Sequence, residues 1–336
     1  MTLRELADSG GVRLGAAVND IAFATGDAAY RSLLSAEFNS VTAERVMKWA
    51  FVHPEPQRWE WAPADALTEF AVENEMAIRG HTMVWPVMGT PSYVEEITDP
   101  IALRAVLTDH IEAFFSRYRG RIARVDLVNE PLHWLEGRHF GHVWIDVLGP
   151  DYLAEVLTIA HDIDPDVELW INETHSEVVP DKHLRFSEIV ADLVERELPL
   201  HGIGVQGHQL YPDFIPAPAT PEQIHLAVNT YADMGLEVAV TEMDVLAHPT
   251  ESDRLEVQAR IYGELVDAAL SVDACREITF WGVSDAYTWV DQHFGEDRAP
   301  LLFDRAGEPK PAYHAVASVL ADRARRTPRT PTGEAA

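Results

Sequence analysis

Apolar runs of strand length recur eight times along the chain, separated by segments in which apolar residues follow helical spacing. Regular alternation of strands and helices predicts parallel strands joined by right-handed crossovers. Eight such units in 336 residues favour a closed (β/α)8 TIM barrel of one domain over an open doubly wound sheet. The predicted strands are Val12–Val18, Phe38–Val41, Ala77–Trp85, Ala123–Asn129, Val167–Asn172, Gly202–Gln206, Glu237–Thr241 and Ile278–Val283.

Two of the predicted helices have clear boundaries. One begins at Pro100, directly after the capping residue Asp99, and stops before Gly120. The other covers residues 252–270. The segment Tyr211–Thr220 is too rich in proline for a helix and is predicted to be a loop. The first strand is not followed by a glycine-rich phosphate loop, which argues against a dinucleotide-binding fold.

The ends of the chain and its single cysteine refine this picture. We expect a catalytic barrel over residues 1–322 and a disordered tail over residues 323–336, because the segment from Arg323 is basic and rich in proline and threonine. Cys275 excludes an intramolecular disulfide. Its position at the entry to a strand predicts a buried, inert thiol.

Charge narrows the range of partners. With 55 acidic and 26 basic residues, the formal net charge is −29, and such a surface repels phosphate backbones and anionic membranes. We therefore expect neither a nucleic-acid nor a membrane partner, and we expect a neutral or cationic ligand. The N-terminus has no apolar signal core. This predicts a cytoplasmic protein, or a secreted one if a leader has been removed.

Chemistry-bearing residues lie where the predicted strands end. Strand four delivers Glu130 and strand seven delivers Glu242, while strands three and six end close to His81 and His208. Strand eight carries Trp281. Because active sites of such barrels form at the carboxyl ends of the strands, these side chains are expected to meet at one mouth.

Two carboxyl groups at one mouth suit glycoside hydrolysis. One protonates the leaving oxygen, and the other, when about 5–5.5 Å away, attacks the anomeric carbon with overall retention. Alone, either glutamate is more often a cap or an ion-pair partner, and either histidine is more often a core residue. The chemistry needs only carboxyls and water, so no cofactor is expected. The pair His139 and His142 has weak metal-ligand spacing and is interpreted as loop.

Seven segments, taken in order, are more specific than any single residue. They are FNSVTAERVMKW (38–49), RGHTMVW (79–85), DLVNEPL (126–132), GIGVQGHQL (202–210), VTEMDV (240–245), WGVSDAYTW (281–289) and PLLFDRAGEPKPAY (300–313). Over nearly its whole length, the sequence resembles family 10 glycoside hydrolases, the retaining endo-β-1,4-xylanases. The resemblance implies a carbohydrate substrate.

The resemblance also implies roles for individual residues. Glu130 would be the general acid/base and Glu242 the nucleophile, and Glu242 would be the more readily ionised of the two. Asn129 would bind the 2-hydroxyl of the sugar being cleaved, while His208 would hydrogen-bond Glu242 with Gln206 lining the same wall. The remaining residues, expected around the glycone subsites, are Lys48 with Glu44 beside it, His81, Trp85, Trp281 and Trp289.

Several positions depart from the usual family pattern. Arg45 replaces an asparagine, Pro86-Val87-Met88 replaces His-Ser-Gln, and Asn172-Glu173-Thr174-His175 replaces Asn-Asp-Tyr-Asn. These positions flank the catalytic pair on both sides, which indicates a changed substrate within the family. A short xylo-oligosaccharide and a plant glycoside, such as a saponin sugar chain, are both compatible with them. Arg45 is a candidate partner for an acidic sugar substituent.

Two further hypotheses use the same barrel. One is a sugar-binding protein with little activity, which the altered subsites allow and the intact pair of glutamates opposes. The other is a different barrel hydrolase, such as a β-1,4-glucanase, with its acid/base and nucleophile on the same strands. The choice between an endo and an exo mode of cleavage stays open.

Overall fold

Eight parallel strands pair side by side and close into a barrel, as predicted. The computed structural model describes residues 1–248, 250–294 and 298–326. The barrel order is β1-β2-β3-β4-β5-β6-β8-β9, with β9 pairing back onto β1 and the two-residue β7 pairing with the end of β8. Within the described ranges the strands are β1 Arg13–Val18, β2 Ser40–Ala43, β3 Ala77–Val84, β4 Arg124–Asn129, β5 Glu168–Glu173, β6 Gly202–Val205, β7 His208–Gln209, β8 Glu237–Val245 and β9 Cys275–Phe280.

Helices connect the strands and cover the outside of the barrel. Asp99 caps the helix that begins at Pro100 by accepting from the backbone N–H groups of Ile101 and Ala102, which confirms that predicted boundary. In the described part of the chain the helices are α1 Leu3–Gly10, α2 Asp20–Ala24, α3 Ala28–Glu37, α4 Trp49–Val52, α5 Trp61–Glu73, α6 Ser92–Glu95, α7 Pro100–Tyr118, α8 Val143–Leu148, α9 Tyr152–Ile163, α10 Pro180–Glu195, α11 Pro221–Ala232, α12 Arg254–Leu270, α13 Trp289–Phe294 and α14 Pro311–Arg326.

Several strand boundaries are shifted from the prediction by one to four residues, and two of these shifts affect the site. Strand β8 continues to Val245 rather than ending at Thr241, because β7 pairs with it and extends the ladder. Glu242 is therefore inside a strand. Strand β9 ends at Phe280, so Trp281 follows the strand instead of belonging to it. The next residue, Gly282, has φ of 151°, and a Cβ there would lie 2.5 Å from Leu301, so the chain turns away at a point where only glycine fits.

The predicted loop and the predicted buried cysteine both match the structure. Tyr211–Thr220 lies outside the helices and strands, and Cys275 is buried, which raises the pKa of its thiol to about 12. Helix α14 runs to Arg326, so residues 323–326 are helical and not part of a disordered tail; the rest of that predicted tail lies outside the described residues. None of the helices in the described ranges has the length and apolar character needed to span a membrane.

The interior of the barrel contains a buried network of charges below the mouth. Arg79 on β3 donates to Asp126 on β4 (Nε to Oδ1, 3.0 Å) and to Glu277 on β9 (Nη1 to Oε1, 3.2 Å). Burial alone disfavours the Asp126 carboxylate, but Arg79 and His81 lower its pKa to about 2. The guanidinium of Arg79 also lies 4.6 Å from the centre of the buried Trp170 ring.

Replacing Arg79 by methionine is expected to destabilise the protein by about 3–5 kcal/mol, because two buried carboxylates lose the cation between them. Urea unfolding measures the change. The matched control is Arg260→Met, which removes an exposed pair with Glu264 (2.9 Å) on α12 and should cost less than about 1 kcal/mol. Equal effects for the two variants would show that the buried network does not stabilise the barrel.

Candidate active site

Glu130 lies directly after β4 with its carboxyl group held on both oxygens. The indole N–H groups of Trp85 and Trp134 both donate to Oε2, each at 2.9 Å, and Gln206 Nε2 donates to Oε1 at 2.9 Å. Its backbone has φ of 51°, and its N–H donates to the carbonyl of Asn172 (2.8 Å). The side chain therefore has little freedom to rotate, and its position is fixed by three neighbouring strand ends.

Glu242 lies in β8 and is bound by a different set of donors. Asn172 Nδ2 donates to Oε1 at 2.6 Å, and His208 Nε2 donates to Oε2 at 3.3 Å. His81 Nε2 lies 4.0 Å from Oε1. Burial by itself would raise the pKa of Glu242, but the His208 hydrogen bond and the attraction of His81, His208 and Lys48 bring that pKa below its ordinary value. Glu242 is thus held as a carboxylate, and the predicted His208 contact is confirmed.

His208 owes its own charge to a second carboxylate. Its Nδ1 donates to Asp244 Oδ1 (2.8 Å), while Asp244 Oδ2 accepts from Trp289 Nε1 (2.8 Å). Burial opposes protonation of the imidazole, yet Asp244 and Glu242 together raise the pKa of His208 to about 10. At neutral pH the ring is a cation with both nitrogens donating, one to each acid.

Three amide side chains connect the two glutamates. Asn129 Oδ1 accepts from Asn172 Nδ2 (2.8 Å) and from Gln206 Nε2 (3.2 Å), and those amides also donate to Glu242 and Glu130 respectively. The orientation of Asn172 is fixed by Thr241, whose hydroxyl donates to Asn172 Oδ1 at 2.6 Å. Gly204 leaves room for this amide, because a Cβ there would lie 2.2 Å from Asn172 Oδ1.

The other predicted residues gather beside Glu242. Lys48 Nζ lies 4.3 Å from the ring centre of Trp85 and 5.7 Å from that of Trp281. Burial lowers the pKa of Lys48, opposed by the negative charges of Glu242, Glu130 and Glu44.

His81 and Glu44 are the remaining predicted residues on the Glu242 side of the site. His81 Nδ1 is held by Asp126 (2.9 Å), and its buried Nε2 has no hydrogen-bond partner among the described residues. Glu44 accepts from Asn19 Nδ2 at 3.0 Å. The structure thus places the predicted site residues in the carboxyl-terminal parts of the strands or in the segments that follow them.

Several partners in this site were missed in the sequence. Asn172 contacts Glu242 directly, and Asp126 and Asp244 orient the two histidines, but the motifs had pointed only to the residues they hold. Asn172 carries the same sequence signal as the two glutamates, because it stands at the end of the predicted fifth strand. Trp134, in the loop after β4, also donates to Glu130.

Three of the residues that depart from the family pattern have defined surroundings in the structure. Arg45 forms a bidentate ion pair with Asp20 (2.8 and 2.9 Å), so it already has an acidic partner and the hypothesis that it awaits an acidic sugar loses its main support. Met88 is 59% exposed and offers no polar group to a sugar. Thr174 is buried and its hydroxyl lies 2.9 Å from His175 Nδ1.

The charge relay from Asp244 through His208 to Glu242 predicts a pH effect. Activity requires ionised Glu242 and is lost as pH falls through its pKa. Asp244→Asn removes the charge that keeps His208 protonated, so the pKa of Glu242 should rise and the acidic limb of the kcat/KM profile should move to higher pH. Trp289→Phe, which removes only the indole bond to Asp244, should leave that limb in place. An unmoved limb in Asp244→Asn would refute the relay.

Two buried glutamates with separate donor sets, surrounded by tryptophans and amides that suit sugar rings and hydroxyls, place the protein among the barrel glycoside hydrolases. In the described ranges no group of three or more His, Cys, Asp or Glu side chains is arranged to hold a metal ion.

Comparison with known proteins gives the family. The profile of Glycosyl hydrolase family 10 matches residues 2–319, and the chain belongs to this family. It is 35% identical over 305 residues to a beta-1,4-xylanase of Dictyoglomus thermophilum (85% of this chain, 83% of the other). It is 31% identical over 325 residues to endo-1,4-beta-xylanase B of Thermotoga neapolitana (96% and 92%).

Solved structures agree. Native xylanase 10B of Thermotoga maritima is 32% identical, with a TM-score of 0.88 over 97% of this chain and 100% of the other. Xylanase 10B of Thermotoga petrophila RKU-1 in complex with xylobiose is also 32% identical, with a TM-score of 0.87 over 96% of this chain and 98% of the other. The protein is a retaining glycoside hydrolase of the endo-β-1,4-xylanase type.

Proposed function

We propose that the protein hydrolyses β-1,4-xylosidic bonds by double displacement, with Glu242 as nucleophile and Glu130 as general acid/base. The observation that carries these roles is the difference between the two carboxyl groups. Glu242 is bound by a cationic histidine and an amide that stabilise its anion. Glu130 is held by neutral indole and amide donors, which position the group without adding a positive charge beside it.

In the first step a carboxylate oxygen of Glu242 bonds to the anomeric carbon while the bond from that carbon to the glycosidic oxygen breaks. Glu130 gives its proton to the departing oxygen. In the second step Glu130 takes a proton from water, whose oxygen attacks the same carbon and releases Glu242. Two inversions leave the configuration retained.

The order of strands around the barrel indicates where each half of the substrate binds. Lys48, Trp85 and Trp281 follow β2, β3 and β9, so the sugar that becomes attached to Glu242 is expected among them. Asn129 uses its oxygen to accept two internal bonds, which leaves its Nδ2 to donate to the 2-hydroxyl. The buried Nε2 of His81 is a second group suited to a sugar hydroxyl.

The leaving group is expected on the opposite side, where aromatic side chains cluster. Trp134 and Phe140 from the loop after β4 contact each other (ring centres 5.6 Å apart), and Phe214 from the loop after β7 lies 6.2 Å from Trp134 and 5.1 Å from His175. These half-buried rings offer apolar faces to a sugar ring.

The altered residues favour short substrates. Arg45 is bound to Asp20 and the exposed Met88 has an apolar side chain, so fewer polar side chains remain for sugars farther from the cleaved bond. We therefore propose that kcat/KM gains little when xylo-oligosaccharides grow beyond the sugars next to the catalytic pair.

The test combines substrate identity with stereochemistry. Aryl β-xylobiosides and β-cellobiosides, xylo-oligosaccharides of increasing length, xylan and plant glycosides are incubated with the enzyme, and products are identified by mass. Proton NMR of the first product shows its anomeric configuration. The proposal requires faster cleavage of the xylobioside and a β-configured first product. Preference for the cellobioside would indicate a β-1,4-glucanase, and absence of cleavage with retained binding would indicate a sugar-binding barrel.

A further inference from the structure

A lysine and a glutamate form a fully buried ion pair behind the loop that carries the acid/base. Glu173 is the last residue of β5 and Lys182 lies in the first turn of α10; both side chains have 0% exposure, with Nζ and Oε1 2.8 Å apart. Burying two charges costs several kcal/mol for each ion, and an apolar pair of similar size is often as stable. The pair is therefore a weak device for stability alone.

Both members of the pair also bind the backbone that follows Glu130. Glu173 Oε2 accepts from the N–H of Leu132 at 3.1 Å, and Lys182 Nζ donates to the carbonyl of Trp134 at 3.3 Å. Two successive points of the loop after β4 are thus fixed from within the protein.

The second of these points leads directly to the acid/base. The indole of Trp134, whose carbonyl Lys182 holds, donates to Glu130 Oε2 at 2.9 Å. This loop is partly exposed beyond Leu132, and the buried pair ties it to the interior of the protein. The carboxylate of Glu173 binds Leu132 through one oxygen and Lys182 through the other, so one side chain joins the loop to the helix.

We propose that Glu173 and Lys182 are positioning residues for general acid catalysis: they anchor the segment 132–134 so that Trp134 holds Glu130 against the departing oxygen. This inference rests on the proposed role of Glu130. It assigns a selective role to the pair, because only steps in which Glu130 gives or takes a proton depend on the anchor.

The selectivity gives the test. The double variant Glu173→Gln/Lys182→Met removes both charges of the ion pair together. Poor leaving groups include an alkyl alcohol and a second sugar. For xylobiosides that carry them, kcat/KM should fall by about tenfold to hundredfold, because moving a catalytic group by about 1 Å has an effect of that order. For the dinitrophenyl xylobioside, whose departure needs no proton, the loss should stay below about threefold. The single variant Glu173→Gln, nearly isosteric, should show the same selectivity if the double variant folds poorly.

A matched control measures general damage to the barrel. Lys310→Met removes another buried lysine, paired with Asp285 at 2.9 Å beyond β9, and any loss it causes should be equal for both substrates. If the Glu173 and Lys182 variants lose the same factor in kcat/KM for the poor and the activated leaving group, the proposal is overturned.

A double-mutant cycle identifies the path. Trp134→Phe removes the indole donor and should itself slow the poor leaving group; in that background, replacing the pair should add less than about threefold. Full additivity would overturn the role of Trp134 as the link. If Glu130→Ala slows both substrates equally, the proposed acid/base itself fails, which separates that outcome from failure of the anchor.

Discussion

Replacing Glu242 by glycine is expected to lower kcat/KM by at least about 10⁴-fold on every substrate, including those with activated leaving groups. The reason is that, among the described residues, Glu242 is the carboxylate bound by both His208 and Asn172, which stabilise its charge. The variant should still bind xylobiose, because the residues beside Lys48 and Trp281 are unchanged. Steady-state kinetics and calorimetric titration measure the two properties.

Chemical rescue sharpens this prediction. Azide can occupy the space left by the Glu242 side chain and attack the anomeric carbon from the same face, so a dinitrophenyl β-xylobioside should yield the α-configured glycosyl azide. NMR distinguishes the two anomers. Full activity without azide, or a β-configured product with it, would show that Glu242 is not the nucleophile.

The barrel was predictable because its strands are buried on both faces and appear as continuous apolar runs. The errors occur where a partner strand or a single backbone position decides the boundary. Strand β8 is longer than its apolar run suggests because β7 pairs with residues 244 and 245. Strand β9 stops before Trp281, where Gly282 makes room for Leu301. Neither effect is visible in local hydrophobic pattern.

The catalytic pair was also predictable, since both glutamates follow apolar runs within family motifs. The groups that tune them were not, because they depend on contacts between distant parts of the chain. Arg79 binds Glu277, which is 198 residues away, and Asn172 reaches Glu242 across 70 residues. Only closure of the barrel brings these side chains together, and only then does a lysine such as Lys182 become part of the acid/base support.

This long-range network links the interior of the barrel to the nucleophile. Arg79 fixes Asp126, Asp126 fixes His81, and His81 lies 4.0 Å from Glu242. The Arg79→Met variant is therefore expected to affect catalysis as well as stability. On the other side of Glu242, Asp244 acts on His208 in the same way. The nucleophile is flanked by two histidines, each oriented by a buried aspartate.

Replacing Glu130 by alanine is expected to give a different signature from loss of the nucleophile. For poor leaving groups kcat/KM should fall by about 10²–10⁴-fold, the range that general acid catalysis contributes. For the dinitrophenyl xylobioside kcat/KM should change little, because attack by Glu242 proceeds without protonation. The second step lacks its base, so the covalent intermediate should accumulate, and mass spectrometry should detect it on Glu242.

Azide again gives a stereochemical test, with the opposite product. In Glu130→Ala the azide meets the glycosyl-enzyme from the face that water normally uses, so the β-configured glycosyl azide is expected. Glu130→Gln is the matched control: it keeps the size of the side chain and fills the space, so the leaving-group dependence should persist while azide rescue weakens. An α-configured product from Glu130→Ala would show that the roles of the two glutamates are the reverse of those proposed. An equal fall in kcat/KM for both leaving groups would show that Glu130 takes no part in proton transfer. The two variants together therefore test the assignment of each carboxyl independently, since each leaves the chemistry of the other intact.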